Sequence, residues 1–116
     1  MDSKQVYMRF LSILHALEGR DEVPPMDLDA KKLLEVIAVR HEHKQPLTVT
    51  EAMALSSIAS PATIHRKLDQ LRDMGMVTSV FDGNNRRTKY LIPTDAAHMY
   101  FASVGQAMTQ ALNHAI

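Results

Sequence analysis

Apolar residues recur at steps of three and four over residues 4–18, where Val6, Phe10, Ile13, Leu14 and Leu17 share one stripe. That spacing predicts a helix with a single buried face. Gly19 is its expected stop, and the turn-rich stretch from Arg20 to Pro25 connects it to the next element. Asp27 is placed to cap a second helix over 28–43, with Leu33, Leu34, Ile37 and Ala38 facing inward and Gln45-Pro46 ending it. Thr48 and Glu51 have capping-box spacing, with Thr50 a competing cap, and open about two turns over 49–55. Ser56 to Ala59 breaks the pattern. Ser60 followed by Pro61 then starts a fourth helix that runs to about residue 74, with Gly75 as the left-handed residue after it. Val77, Val80 and Phe81 mark a strand over 76–81, Asp82, Gly83, Asn84 and Asn85 a turn, and 88–92 a second strand. Thr94 caps a last helix over 95–114. Its apolar positions Ala97, Phe101, Val104, Met108, Ala111 and Ala115 form a narrow seam of coiled-coil type. The seam reads as a dimer interface, with Val6, Phe10 and Leu17 as a second stripe; packing within one protomer is the alternative.

The length of 116 residues fits one domain, 1–116. With 46% apolar and 22% charged residues the chain is not generally disordered, and the 5% of aromatic residues, without tryptophan, favours helices over sheets. No apolar run approaches the roughly 20 residues that a membrane span needs, and the N-terminus lacks the basic head and apolar block of a signal peptide. The expectation is a cytoplasmic protein with no membrane partner. The absence of cysteine removes disulfides, thiolate catalysis and Cys-based zinc sites. There is no glycine-rich phosphate loop, nucleophile elbow or helical His-Glu-x-x-His pair, so neither enzyme activity nor a cofactor is expected. His41 and His43, with His15, His98 and His114, raise a metal reading. Residues two apart on a helix point roughly 200° apart, however, and the simpler account of the pair is a cation at a helix C-terminus. The eight methionines are scattered and read as core filler.

Charge and helical phase say more. Two short helices, a break of about four residues and a polar-tipped hairpin follow the order of a winged helix-turn-helix: a three-helix core with a two-stranded β wing. On the fourth helix Ile64, Leu68 and Leu71 define the buried side, while Ala62, Arg66 and Asp73 lie about opposite, with Thr63 and Gln70 to one flank. The outward face at the helix start is therefore small and polar, suited to a phosphate at the N-terminus and to a major groove about 12 Å wide. Thr63, His65, Arg66 and Gln70 can all donate to bases or phosphates. Lys67 borders the core and is placed to snorkel or to meet a phosphate. Arg86, Arg87 and Lys89 add charge to the hairpin. From Ser60 to Pro93 six basic residues stand against three acidic ones, a net of +3 in a chain whose total is zero. Such a separation is the footprint of a small nucleic-acid-binding element. Solvated helix and hairpin cations are the plainer reading of Arg66, Arg86 and Arg87, and Thr63 equally suits support of the helix start.

The stretches LTVTEAMAL, SPATIHRKLDQLRDMGMV and FDGNNRRTKYLIPT together resemble the winged helix-turn-helix of the MarR (multiple antibiotic resistance regulator) family of bacterial transcription regulators. The resemblance covers 47–94, about two-fifths of the chain. It implies a mainly α fold with the winged unit over about 28–93 and dimerisation helices over about 4–18 and 95–114. It also implies a cytoplasmic homodimer that binds double-stranded DNA at an imperfect palindrome. Base and phosphate contacts are expected from Ser60, Ala62, Thr63, His65, Arg66, Lys67 and Gln70, and minor-groove or phosphate contacts from Arg86, Arg87 and Lys89. Asn85 stands where the family often has an acidic residue that orients the wing arginine, and Ala97 replaces a frequent glycine. Only one helix follows the wing, so the family's dimer domain and effector pocket are expected to be reduced. A small apolar effector remains a candidate partner through Phe10, Met26, Tyr100 and Phe101. The rival expectation, from another class, is a winged-helix protein-interaction module without DNA binding.

Overall fold

The structure is a computed structural model that describes residues 2–20 and 24–113. Its elements are α1 (Ser3–Glu18), α2 (Leu28–Glu42), α3 (Val49–Met53), α4 (Pro61–Asp73), β1 (Val77–Asp82), β2 (Asn85–Pro93) and α5 (Asp95–Asn113). They fall into two compact units: one lies within Met1–Pro25 and His98–Ile116, the other is Met26–Ala97. His114 and Ala115, named above as a metal candidate and a seam residue, lie outside the described residues.

Within Met26–Ala97, local chemistry starts each helix. The Asp27 carboxylate accepts from the Ala30 amide at 2.9 Å. Thr48 and Glu51 form the full capping box, with reciprocal bonds of 3.1 and 2.9 Å. Ser60 caps α4 with Pro61 in its first turn, and Thr94 Oγ1 accepts from the Ala97 amide at 3.2 Å. Gly75, at φ +72, takes the left-handed turn that releases the chain from α4 into β1. Thr94 Oγ1 then donates to the Gly75 carbonyl at 2.6 Å, which ties the end of the hairpin to its beginning.

The core of this unit is Leu33, Leu34, Ile37, Leu47, Ile64, Leu68, Leu71, Met76 and Leu91, all fully buried. Helix α2 packs on α4 and β2, α3 on the same two elements, and α4 also on β1. Leu33, Leu34 and Ile37 are inward as the spacing predicts, whereas Ala38 is only half-buried and Ala30 takes a buried place instead. Two boundaries move by two residues or more from the expectation. Helix α3 ends at Met53 because tight turns, Ser56 to the Ala54 carbonyl and Ile58 to that of Leu55, take over the backbone bonding. Strand β2 begins at Asn85, three residues early, since the loop is only Gly83 and Asn84 and Asp82 pairs directly with Asn85. A third segment also joins the sheet: the Leu91 amide donates to the Leu47 carbonyl at 2.8 Å, beside a bridge between Thr48 and Tyr90.

The other unit holds α1 and most of α5. Arg9 donates to the Ala111 carbonyl at 3.4 Å. Val6, Tyr7 and Phe10 of α1 and Met108, Ala111 and Leu112 of α5 line one groove. The seam of α5 is not uniform. Ala111 is buried, Phe101 and Val104 are half-buried, and Met108 is 53% exposed. Ala107, one residue and about 100° away, takes the inward place assigned to Met108, together with Tyr100. No described helix is long and apolar enough to cross a membrane.

Candidate nucleic-acid interface

Helix α4 separates its two faces as the wheel predicts. Ile64, Leu68 and Leu71 are sealed in the core, while Ser60, Ala62, His65, Arg66 and Gln70 are exposed. Its leading turn is organised around one hydroxyl. Thr63 Oγ1 accepts from Ser60 Oγ at 3.1 Å and from the Arg66 guanidinium at 3.2 Å. The Thr63 amide donates to Ser60 Oγ at 3.3 Å. Thr63 therefore supports the helix start and steers Arg66 at once; its position is half-buried. One turn later, Asp69 lies 3.3 Å from His65 Nδ1 and 3.7 Å from the Arg72 guanidinium. Arg72 also donates to Ser79 Oγ on β1 at 3.1 Å, so a polar chain runs from the exposed side of α4 to the base of the hairpin.

Lys67 borders the core, as its place on the helix predicts. Its ammonium donates to Asp27 Oδ2, at the cap of α2, and its side chain keeps only 18% of its exposure. A carboxylate meets the cation, so Lys67 braces α4 against α2. That hydrogen bond, followed by the one from the Ala30 amide, holds the Asp27 carboxyl below its ordinary value of 3.8. A lowered folded value stabilises above the ordinary one and ceases to do so as pH falls through the lowered value. Asp27→Asn retains the cap and removes the charge. The variant is expected to melt below the parent at pH 7, the gap closing as pH is taken below 3.8. A gap that is constant across an acid titration of melting temperature would overturn the pairing.

The hairpin carries the remaining cations. Phe81 pairs with Lys89, and the next pair is Asp82 with Asn85, so Arg86, Arg87 and Thr88 lie between the two pairs on β2 with nothing opposite them on β1. Asn85 Oδ1 accepts from the Arg87 amide at 2.9 Å, which fixes the start of this irregular stretch. Arg86 and Lys89 both lie over the Phe81 ring, at 6.0 and 5.2 Å from its centre. Arg86, Arg87 and Lys89 are exposed, and no described carboxylate pairs with any of them.

No family model and no curated protein matches the chain. Solved structures do. The transcriptional regulator Tm0710 of Thermotoga maritima superposes with a TM-score of 0.64 at 15% identity, over 94% of this chain and 68% of the other. A mutant of S. aureus MepR bound to an oligodeoxyribonucleotide gives 0.58 at 17%, over 98% and 78%. E. coli MarR in its apo form gives 0.53 at 22%, over 96% and 79%. The chain has the MarR-like winged-helix fold. At these identities the likeness is one of architecture, and it makes α3 and α4 the helix-turn-helix pair and the β1–β2 hairpin the wing.

The MarR-like frame brings Ser60, Ala62, Thr63, His65, Arg66 and Gln70 together on α4 and sets Arg86, Arg87 and Lys89 on the wing. Asn85, in place of an acidic residue, bonds a backbone amide and no guanidinium. Sequence reasoning missed the ion pairs His65–Asp69 and Asp69–Arg72, the bond from Arg72 to Ser79 and the placing of Phe81 beneath two cations. The first two were readable, since His65 to Asp69 and Asp69 to Arg72 have the spacing of helical ion pairs. Phe81 was recognised only as a strand residue. Among the described residues no three histidines, aspartates or glutamates gather as metal ligands.

Proposed function

We propose that the chain is a sequence-specific, DNA-binding transcription regulator acting as a homodimer. The observation that carries the reading is the open start of α4: an exposed, capped helix N-terminus presenting Ala62, His65 and Arg66 while the opposite face is sealed in the core. Two such helices enter successive major grooves about 34 Å apart, which makes the operator an imperfect palindrome. Arg66 reads a base with its free N–H groups while Thr63 holds it; His65 and Gln70 donate beside it, and Ala62 lets the helix approach. The Ala62 amide meets a phosphate beside Ser60, since Pro61 has no N–H and the Thr63 amide is held by the Ser60 hydroxyl. Arg86, Arg87 and Lys89 hold phosphates or the minor groove. Exposed Tyr7, Met8, Met99, Met108 and Leu112, all outside the winged unit, supply the apolar surface for the dimer.

Selection from random DNA with the purified protein, followed by gel-shift titration, tests the assignment. Arg66→Ala is expected to weaken binding by about 1–3 kcal/mol and to relax preference at one base pair. Unchanged affinity and preference would remove Arg66 from the interface. Flow-through of the folded protein on heparin and on bulk DNA at low salt would favour the protein-interaction module instead.

A further inference from the structure

We infer that Phe81 is a positioning residue of the wing, whose ring gathers Arg86 and Lys89 into a paired cationic grip on the nucleic-acid backbone; the inference rests on the DNA-binding reading. Phe81 is no core residue. Along its face of β1, Val77 is buried, Ser79 half-buried and Phe81 41% exposed, so the sheet has left the core by the time the ring is reached. Two cations lie over the ring. Lys89, its cross-strand partner, places Nζ 5.2 Å from the ring centre, and Arg86 places its guanidinium carbon at 6.0 Å.

A regular strand would not allow this. Residues three apart in a β-strand point to opposite faces, so Arg86 and Lys89 belong on different sides of the wing. The unpaired residues Arg86, Arg87 and Thr88 break the alternation and let both cations reach one ring. Two like charges so placed repel each other, and the electron-rich ring is the group that offsets the repulsion, since no carboxylate among the described residues pairs with either. A carboxylate would neutralise them and compete with phosphate. An aromatic face orders the cations, leaves their charge intact and keeps their N–H donors free, so less side-chain entropy is lost when a phosphate arrives.

Phe81→Leu keeps an apolar side chain of similar size and removes the ring, and Phe81→Tyr restores the ring. In the free protein, NMR should show Lys89 side-chain methylene protons shifted upfield in the parent and in Phe81→Tyr and at ordinary positions in Phe81→Leu. On the selected DNA site, Phe81→Leu should weaken binding about two- to five-fold per wing, the strength of an exposed cation–aromatic contact. It should also lose hydroxyl-radical protection beneath the wing while keeping the same preferred sequence and an unchanged melting temperature. Phe81→Tyr should restore affinity and protection. Phe81→Leu binding like the parent, with its wing protection intact, would overturn the inference, as would a parent that binds DNA without the upfield shifts. A parent that shows the shifts yet is never retained on DNA at low salt refutes the DNA-binding reading itself, and the positioning role falls with it.

Discussion

Raising the salt concentration from about 50 to 200 mM is expected to weaken binding to the selected site by three to four orders of magnitude. Each phosphate neutralised by a cation releases condensed counterions, so the logarithm of affinity falls linearly with that of salt, with a slope of about −0.9 per contact. Arg86, Arg87 and Lys89 are exposed without an acidic partner among the described residues, and their release of counterions is not spent on breaking an ion pair there. Two wings carry six such residues, which gives a slope of about −5 and a loss of about 10³ over that range. If Arg66 also meets phosphate in each protomer, the slope steepens to about −7 and the loss approaches 10⁴. Lys67 does not enter, because its charge is already compensated by Asp27. Fluorescence anisotropy over four salt concentrations measures the slope. A value near −1 or −2 would leave the wing without phosphate contacts and remove the electrostatic basis of the proposed function.

The parts of this molecule that local chemistry decides were legible in the sequence. Ser60-Pro61 at one end and Gly75 at the other bracket α4 because a capping hydroxyl, a preset φ and a left-handed turn each act within a few residues. The caps at Asp27, Thr48 and Thr94 are of the same kind. What escaped is decided between elements. Lys67 lies on the edge of its helical wheel, where burial, snorkelling and phosphate contact have the same periodic signature; only the arrival of Asp27, forty residues earlier, selects among them. The pairing of Leu47 with Leu91 leaves no pattern in a stretch too short to read as a strand. The irregular register between Phe81 and Asp82 is invisible for a related reason: alternation over 88–92 fits a regular strand, and the slip depends on which residue lies opposite. On α5 a three-four spacing is satisfied by Met108 as well as by Ala107 and Tyr100, and packing chose the latter. The candidate site divides along the same line, its α4 residues readable and the ring that holds its wing cations not.

Leu68→Ala should remove about 2–5 kcal/mol of stability, the cost of deleting a fully buried leucine and leaving a partly collapsed cavity. Leu68 is 1% exposed and lies between Ile64 and Leu71, both at 0%, on the face of α4 that packs against α2. Against a total of 5–15 kcal/mol for a typical domain, that is between about an eighth of the margin and all of it, and it corresponds to a fall of about 10–30 °C in melting temperature. Leu68→Met, which conserves volume, should cost less than about 1.5 kcal/mol. The decisive comparison is with Arg66→Ala. Leu68 points away from any DNA that meets the leading turns, so at low temperature, where the variant remains folded, its affinity per folded molecule should equal that of the parent. Arg66→Ala should show the reverse: an unchanged urea midpoint and weaker binding. Two residues half a turn apart on one short helix are thus expected to report stability and recognition separately, because Leu68 works only inside the core and Arg66 only outside it. If Leu68→Ala changed affinity per folded molecule while leaving the urea midpoint where it was, the two faces of α4 would have been assigned the wrong way round.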